Sequence, residues 1–295
     1  MKANKKKVFF GTATALVTPF RDGNIDYAAL SRLIDIQIDA GVPALVIGGT
    51  TGEAATLSDD ERYELYRFAK ECIRGRARLI LGTGTNDTRV AIKHTKVAES
   101  LRADGALLVT PYYNKGTEEG IFRHYTAIAD ECDIPLILYN VPSRTGVNLG
   151  LGLLSRLSER ENIVAIKEAS DSVDRLVDLS RLSDSLTLYS GNDSQIYPTL
   201  ALGGSGVISV ASNVFPREVC AICELYKNGR VGESLKMQQK IIPLCKALFA
   251  ETNPAPVKYA MAKLGLISDE LRLPLAPPRE STRALIDAAL WDMQK

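Results

Sequence analysis

The sequence predicts an α/β chain closed into a (β/α)8 TIM barrel and followed by a C-terminal helical extension. Eight short β-rich runs alternate with amphipathic stretches, and nearly all of them are apolar on both faces, as strands covered on both sides must be. After Ser212 the pattern changes to helices alone. The rival architecture, an open doubly wound sheet, lacks its glycine fingerprint: GTGTND at 82–87 carries Asp87 where the third glycine belongs.

The elements follow in order. The opening MKANKKKVFFGTATALVTPF is basic and then apolar, but Gly11, Thr12 and Thr14 interrupt the apolar part and Pro19 ends it. It reads as a short basic tail and a first strand, TATALV (12–17), rather than a signal peptide. YAALSRLIDIQIDAG places Leu30, Leu33, Ile34 and Ile38 on one helical stripe with Gly41 as the stop. ALVIGG (44–49) is the second strand, and the helix after it opens with a capping box, Ser58 and Glu61. RLILGT (78–83), GALLVT (105–110), PLILYN (135–140), IVAIKE (163–168), LTLYSG (186–191) and GVISVA (206–211) complete the set of strands. Helices are expected at 216–227, about 231–251, 255–264 and 280–293, with the proline-rich RLPLAPPR between the last two. The division is a barrel with the active site over 1–228 and a helical domain over 229–295.

Length and composition agree with one barrel plus an extension: 295 residues, 45% hydrophobic and 24% charged, enough for a large core and against disorder. A net charge of +1 gives no electrostatic reason to expect nucleic acid or an anionic membrane as partner. No run approaches the roughly 20 apolar residues of a membrane span. The five cysteines are scattered, and the Cys220–Cys223 pair lies in a helical pattern with no second pair or nearby histidine. It reads as two buried thiols, which places the chain in a reducing, cytoplasmic compartment.

In a barrel of this kind, active-site groups sit at the C-terminal ends of strands. Those ends read GGTTGEAA, TPYYNKG, YNVPSRTG, IKEAS, SGND and GVISVASN for strands two and four to eight. Tyr139 and Lys167 end consecutive strands, about 4.8 Å apart, so phenol and amine are neighbours. A lysine in an apolar barrel mouth loses its proton readily and becomes a nucleophile toward carbonyl carbon. The phenol can shuttle the protons that imine formation requires. Glu168 is a poor partner for Lys167, because adjacent strand residues point to opposite faces. Position alone leaves open both a nucleophile and a structural ion pair with some other carboxylate.

GGTTGEAA exposes backbone N–H groups and hydroxyls at a strand-to-helix turn, suited to a small carboxylate. Arg144 in NVPSRTG can fork onto a second carboxylate. Other chemistries lack material. His94 and His124 fall in helical stretches, GGSGV at 203–207 misses the nucleophile elbow, and there is no P-loop. No metal or organic cofactor is expected.

GTTGE (49–53), PYYN (111–114), YNVPSRTG (139–146), IKEAS (166–170), GVISV (206–210) and NPAPVK (253–258) together resemble the pyruvate-dependent class I aldolase family of dihydrodipicolinate synthase and N-acetylneuraminate lyase. The resemblance runs from about Phe10 to the C-terminus. It implies a homotetramer of two tight dimers, or a homodimer. It implies Lys167 as the Schiff-base lysine for pyruvate and Tyr139 as proton donor and acceptor, with Thr50 and Tyr113 completing a relay. Tyr113 would reach in from a neighbouring subunit. Thr51 and the backbone at Ile208 would hold pyruvate, and Arg144 the carboxylate of aspartate semialdehyde. The product would feed lysine and diaminopimelate synthesis.

Within the family, Arg144 and the second threonine of GTTGE favour condensation with aspartate semialdehyde. A sugar-acid lyase such as N-acetylneuraminate lyase ranks second, and a non-catalytic ligand-binding barrel, which predicts loss of Lys167 or its relay, ranks third. Where lysine-inhibited members of the family bind lysine, this chain carries Ala54, Ala55, Asp59, Arg62, Asn86, Val90 and Tyr112. Valine cannot accept a hydrogen bond from an ammonium, so weak or absent lysine inhibition is expected.

Overall fold

The structure, a computed structural model, describes residues 7–295; the basic tail, apart from Lys7, lies outside the described residues. The strands β1 (Gly11–Ala15), β2 (Ala44–Ile47), β3 (Arg78–Gly82), β4 (Gly105–Val109), β5 (Leu136–Asn140), β6 (Ile163–Glu168), β7 (Thr187–Ser190) and β8 (Gly206–Ser209) form a closed parallel barrel. Each pairs with its sequence neighbours, and β1 closes the ring by pairing with both β2 and β8. Every expected run overlaps one strand, the first of them beginning a residue early at Gly11. Several strands stop a residue or two short of the run's end, because those last residues already bend into the loops above the barrel. Outside the barrel, the extended ribbon pairing Phe20–Arg21 with Asn24–Ile25 across an Asp22–Gly23 turn went unforeseen. It is too short to show a period, although Asp-Gly is a hairpin signal.

Alternation sorts the strand side chains. Ala13, Ala44, Val46, Ile80, Leu107, Ile137, Ala165 and Ile208 fill the barrel interior as one apolar cluster. Outside the ring, Thr14 donates to Gln37 at 2.7 Å and Gln37 donates to the Ser212 carbonyl at 2.9 Å, so this polar member of β1 is satisfied where helices cover it. Phe9 stacks on Tyr189 with ring centroids 4.1 Å apart, and the Tyr189 hydroxyl donates to the Phe9 carbonyl. This pair belongs to the same interior cluster.

The surrounding helices start where the chain dictates. The capping box is present: the Glu61 amide donates to the Ser58 hydroxyl, and the Ser58 amide to the Glu61 carboxylate. Leu30, Leu33 and Ile34 are buried on the first helix, Tyr27–Asp39. Cys220 and Cys223 are free, buried thiols on the helix Pro216–Lys227, with burial pushing them up to about 11 and about 12. Among the described residues no helix is long and apolar enough to cross a membrane.

The C-terminal helices Val231–Leu248, Ala255–Lys263 and Glu280–Met293 are not a detached unit. Lys258 forms an ion pair with Glu53 of the turn after β2, both side chains fully buried. Lys258 also donates to the Glu270 carbonyl, and the Arg272 amide donates to Glu53. This lock fastens the extension to a barrel loop. Lys258→Met would leave the Glu53 carboxylate buried without its cation, with an expected destabilisation of about 3–5 kcal/mol. Guanidinium unfolding of the variant measures it.

Candidate active site

The β5–β6 register sets Tyr139 directly beside Lys167 and Asn140 beside Glu168. Inward-pointing Lys167 is only 5% exposed, and its Nζ lies 4.2 Å from the centre of the Tyr139 ring. Burial takes the amine down from 10.5 to about 7, with the Arg144 charge pushing the same way and Asp193 opposing. Near neutrality a substantial share is therefore uncharged. Glu168 points to the other face, as expected, where Asn140, Arg175 and the Ser170 amide hold its carboxylate. The question left open by position is thus narrowed: the neighbouring carboxylate is occupied elsewhere.

Burial raises the Tyr139 phenol above its usual range, against the Arg144 charge and a hydrogen bond with Thr50. Thr50 and Thr51 come from the turn after β2. There the Gly52, Glu53 and Ala54 amides are satisfied inside the turn by the Gly49 and Thr50 carbonyls. The Thr50 and Thr51 amides have no partner among the described residues, and Thr51 is buried. The turn is held in this shape by Thr18, which donates to the Gly52 carbonyl at 2.7 Å, and by Glu53 in the left-handed region at φ 53°. A non-glycine residue there is strained and needs fixing from outside, which the buried Lys258 provides.

Lys167, Tyr139, Thr50, Thr51 and Arg144 line one cavity of about 830 Å³. Arg144 stands on the short helical turn Pro142–Thr145 and donates to the Asn253 carbonyl at 3.0 Å. Tyr113 does not join them: it is 90% exposed, at φ 66°, so its hydroxyl serves no site within its own chain. Ile208 is buried in the interior cluster, and Val210, just beyond it, lines the cavity.

The sequence left some site residues without a role. Asn253 donates to the Thr51 hydroxyl at 2.9 Å and so joins the carboxylate turn to Arg144. Cys245, Lys246 and Phe249 to Thr252 form more of the wall, so the extension contributes to a site assigned to the barrel alone. Asp193, three residues past β7, is also in the wall. Asn253 stood in NPAPVK and Asp193 in SGND; both motifs were visible, but nothing local says which loop they face. Gly191 fits because a Cβ there would meet the Ala169 Cβ at 2.6 Å.

A closed parallel barrel with a desolvated lysine and a phenol side by side at the C-terminal mouth defines the lysine-bearing class of (β/α)8 proteins. The chain belongs to the dihydrodipicolinate synthetase family, whose sequence profile matches residues 8–292. It is 46% identical over 289 residues to the 4-hydroxy-tetrahydrodipicolinate synthase of Clostridium novyi, covering 98% of each chain. The structure of the synthase of that name from Methylacidiphilum fumariolicum superposes with a TM-score of 0.95 at 45% identity, covering 97% of this chain and 96% of that one. The chloride-inhibited dihydrodipicolinate synthase of Acinetobacter baumannii, solved in complex with pyruvate, gives 0.94 at 42% identity, with 97% of this chain and 99% of that one covered.

The lowered Lys167 value carries a stability cost. Between about 7 and 10.5 the unfolded chain binds a proton that the folded chain does not, so this lysine makes stability rise with pH across that window. Lys167→Met removes the cost. Near pH 7 the variant is expected to be more stable than the natural protein by roughly 1–3 kcal/mol, the gain shrinking as the pH approaches 10. Denaturant midpoints at several pH values check this.

Proposed function

We propose that the protein condenses pyruvate with L-aspartate 4-semialdehyde through an imine on Lys167, giving 4-hydroxy-tetrahydrodipicolinate for lysine and diaminopimelate synthesis. The observation that carries this reading is the buried amine over the Tyr139 ring, with Thr50 on the wall of the same cavity. The names of the relatives support the same substrates over a sugar acid.

The neutral Lys167 amine adds to the keto carbon of pyruvate. Tyr139, coupled to Thr50, gives the proton that lets water leave. The pyruvate carboxylate lies against the Thr50–Thr51 turn, whose two free amides and hydroxyls suit an anion, with the β8 backbone at Ile208 closing the other side. Loss of a methyl proton turns the imine into an enamine, the positive nitrogen serving as electron sink. The enamine carbon attacks the aldehyde of the second substrate, whose carboxylate Arg144 receives at the rim. The amino group of that substrate then closes the ring and releases Lys167. The route calls for no metal or organic cofactor.

Exposed Tyr113 completes the relay only in another copy, so we place the active form at a homodimer or a homotetramer of two such dimers, in the cytoplasm. Reduction with borohydride in the presence of pyruvate is expected to leave an adduct on the peptide Asn162–Ser170, and Lys167→Ala to abolish it. Tyr139→Phe should keep the fold while turnover falls about 10²–10⁴-fold. An unmodified peptide in the folded natural protein would sink the imine route.

Lysine itself is expected to inhibit weakly or not at all. A smaller cavity of about 350 Å³, lined by Ala54, Ala55, Arg62 and Tyr112, presents a guanidinium, and its one carboxylate, Glu53, is already paired with Lys258. Asp59 is taken by Lys93 and His94. Initial rates across a lysine titration test this; half-inhibition well below millimolar lysine would contradict it.

A further inference from the structure

Formation of the protonated imine puts a positive charge on a nitrogen that the barrel has desolvated. Such a charge is costly unless an anion shares its dry surroundings. Three carboxylates line the cavity: Asp171, Asp193 and Glu251. Asp171 is exposed, and Glu251 stands at the rim holding the Arg279 amide at 2.8 Å. Asp193 alone is buried, 2% exposed. Its Oδ2 accepts from the Val210 and Ala211 amides, each at 2.9 Å, which fixes the carboxylate in place. Its Oδ1 is buried and has no hydrogen-bond partner. A structural carboxylate whose work was to hold the end of β8 would need only the first oxygen.

We propose that Asp193 is the internal counter-charge of the Lys167 imine, a positioning residue whose free Oδ1 supplies the negative charge that the protonated imine lacks. This rests on the imine chemistry proposed above.

The groups around it are consistent with that role. Lys167 stands on β6 beside β7, with Arg144 and Tyr139 on the wall of the same cavity. Ser209 is close enough to steady the Asp193 charge but makes no hydrogen bond to Oδ1, its hydroxyl accepting from the Ser212 amide at 2.9 Å, and Cys245, on the helix Val231–Leu248, is held up as a thiol by burial and by the Asp193 charge. Asp193 favours the charged form of Lys167, and Lys167 that of Asp193, while burial opposes both. In the free site the pair has a choice between neutral and charged forms. When the imine is protonated the nitrogen carries a positive charge, and the carboxylate answers it. The Gln238 side chain donates to the Asp193 carbonyl, so the backbone too is held.

The test is Asp193→Asn, which keeps the acceptor for the two amides and removes the charge. Pyruvate and borohydride trapping on Lys167 is followed against pH in the natural protein and the variant, beside turnover. The variant's midpoint is expected to move down by about one pH unit, because the free amine is no longer held protonated. The imine fraction at saturating pyruvate should fall, and turnover with it by about tenfold or more. A folded variant that traps pyruvate with an unshifted profile would overturn the counter-charge. Failure of the natural protein to be trapped at all would instead overturn the imine reading. Should the asparagine variant not fold, Asp193→Ser, smaller and also an acceptor, is read in the same way.

Discussion

The site depends on one constraint: an amine placed inside a closed sheet. In a parallel barrel every second side chain must point inward, into a volume filled by alanines and branched aliphatics. Lys167 occupies such a position at the last level before the loops, where the interior is dry but a cavity begins. The desolvation that lowers its hold on a proton is therefore a property of the ring, set by the register that pairs it with Tyr139 on one side and Tyr189 on the other. Shift β6 by one residue and Glu168 would enter the barrel while the lysine met the helices outside.

Much of this was legible in the chain. Eight runs gave eight strands, because buried parallel strands are apolar on both faces and stand out against amphipathic helices. Lys167 and Tyr139 were readable as neighbours from strand order alone. The thiols of Cys220 and Cys223 followed from their helical setting. What could not be read depends on distance across the fold. Asn253 reaches Thr51 from 202 positions away, and no spacing rule connects them. Asp193 lies three residues beyond a strand, where loop shape decides whether a carboxylate faces a cavity or water. The Asp22–Gly23 ribbon was missed for a different reason, having too few residues to show alternation.

The polar interior shows how unfavourable groups are held. Glu53 sits at a left-handed backbone position and carries a charge to a fully buried place, two features that each destabilise. Lys258 and the Arg272 amide compensate for both from the extension. Their common effect is to keep the threonine turn in the shape that leaves two amides unpaired. Glu168, Asn140 and Arg175 do similar work outside the ring, anchoring the strand end next to Lys167. Charge is thus buried at several points around the mouth, each time with a partner, and the amine itself is the member kept without a direct one.

Because Cys245, Lys246 and Phe249 to Asn253 wall one side of the cavity, the pocket is not complete until the end of the chain has folded back over the barrel. During synthesis the lysine emerges well before those helices. A nascent or clipped chain would set Lys167 on its strand inside the ring but leave the cavity above it open on that side. An enclosed cavity is in this way reserved for finished molecules, a consequence of chain order alone.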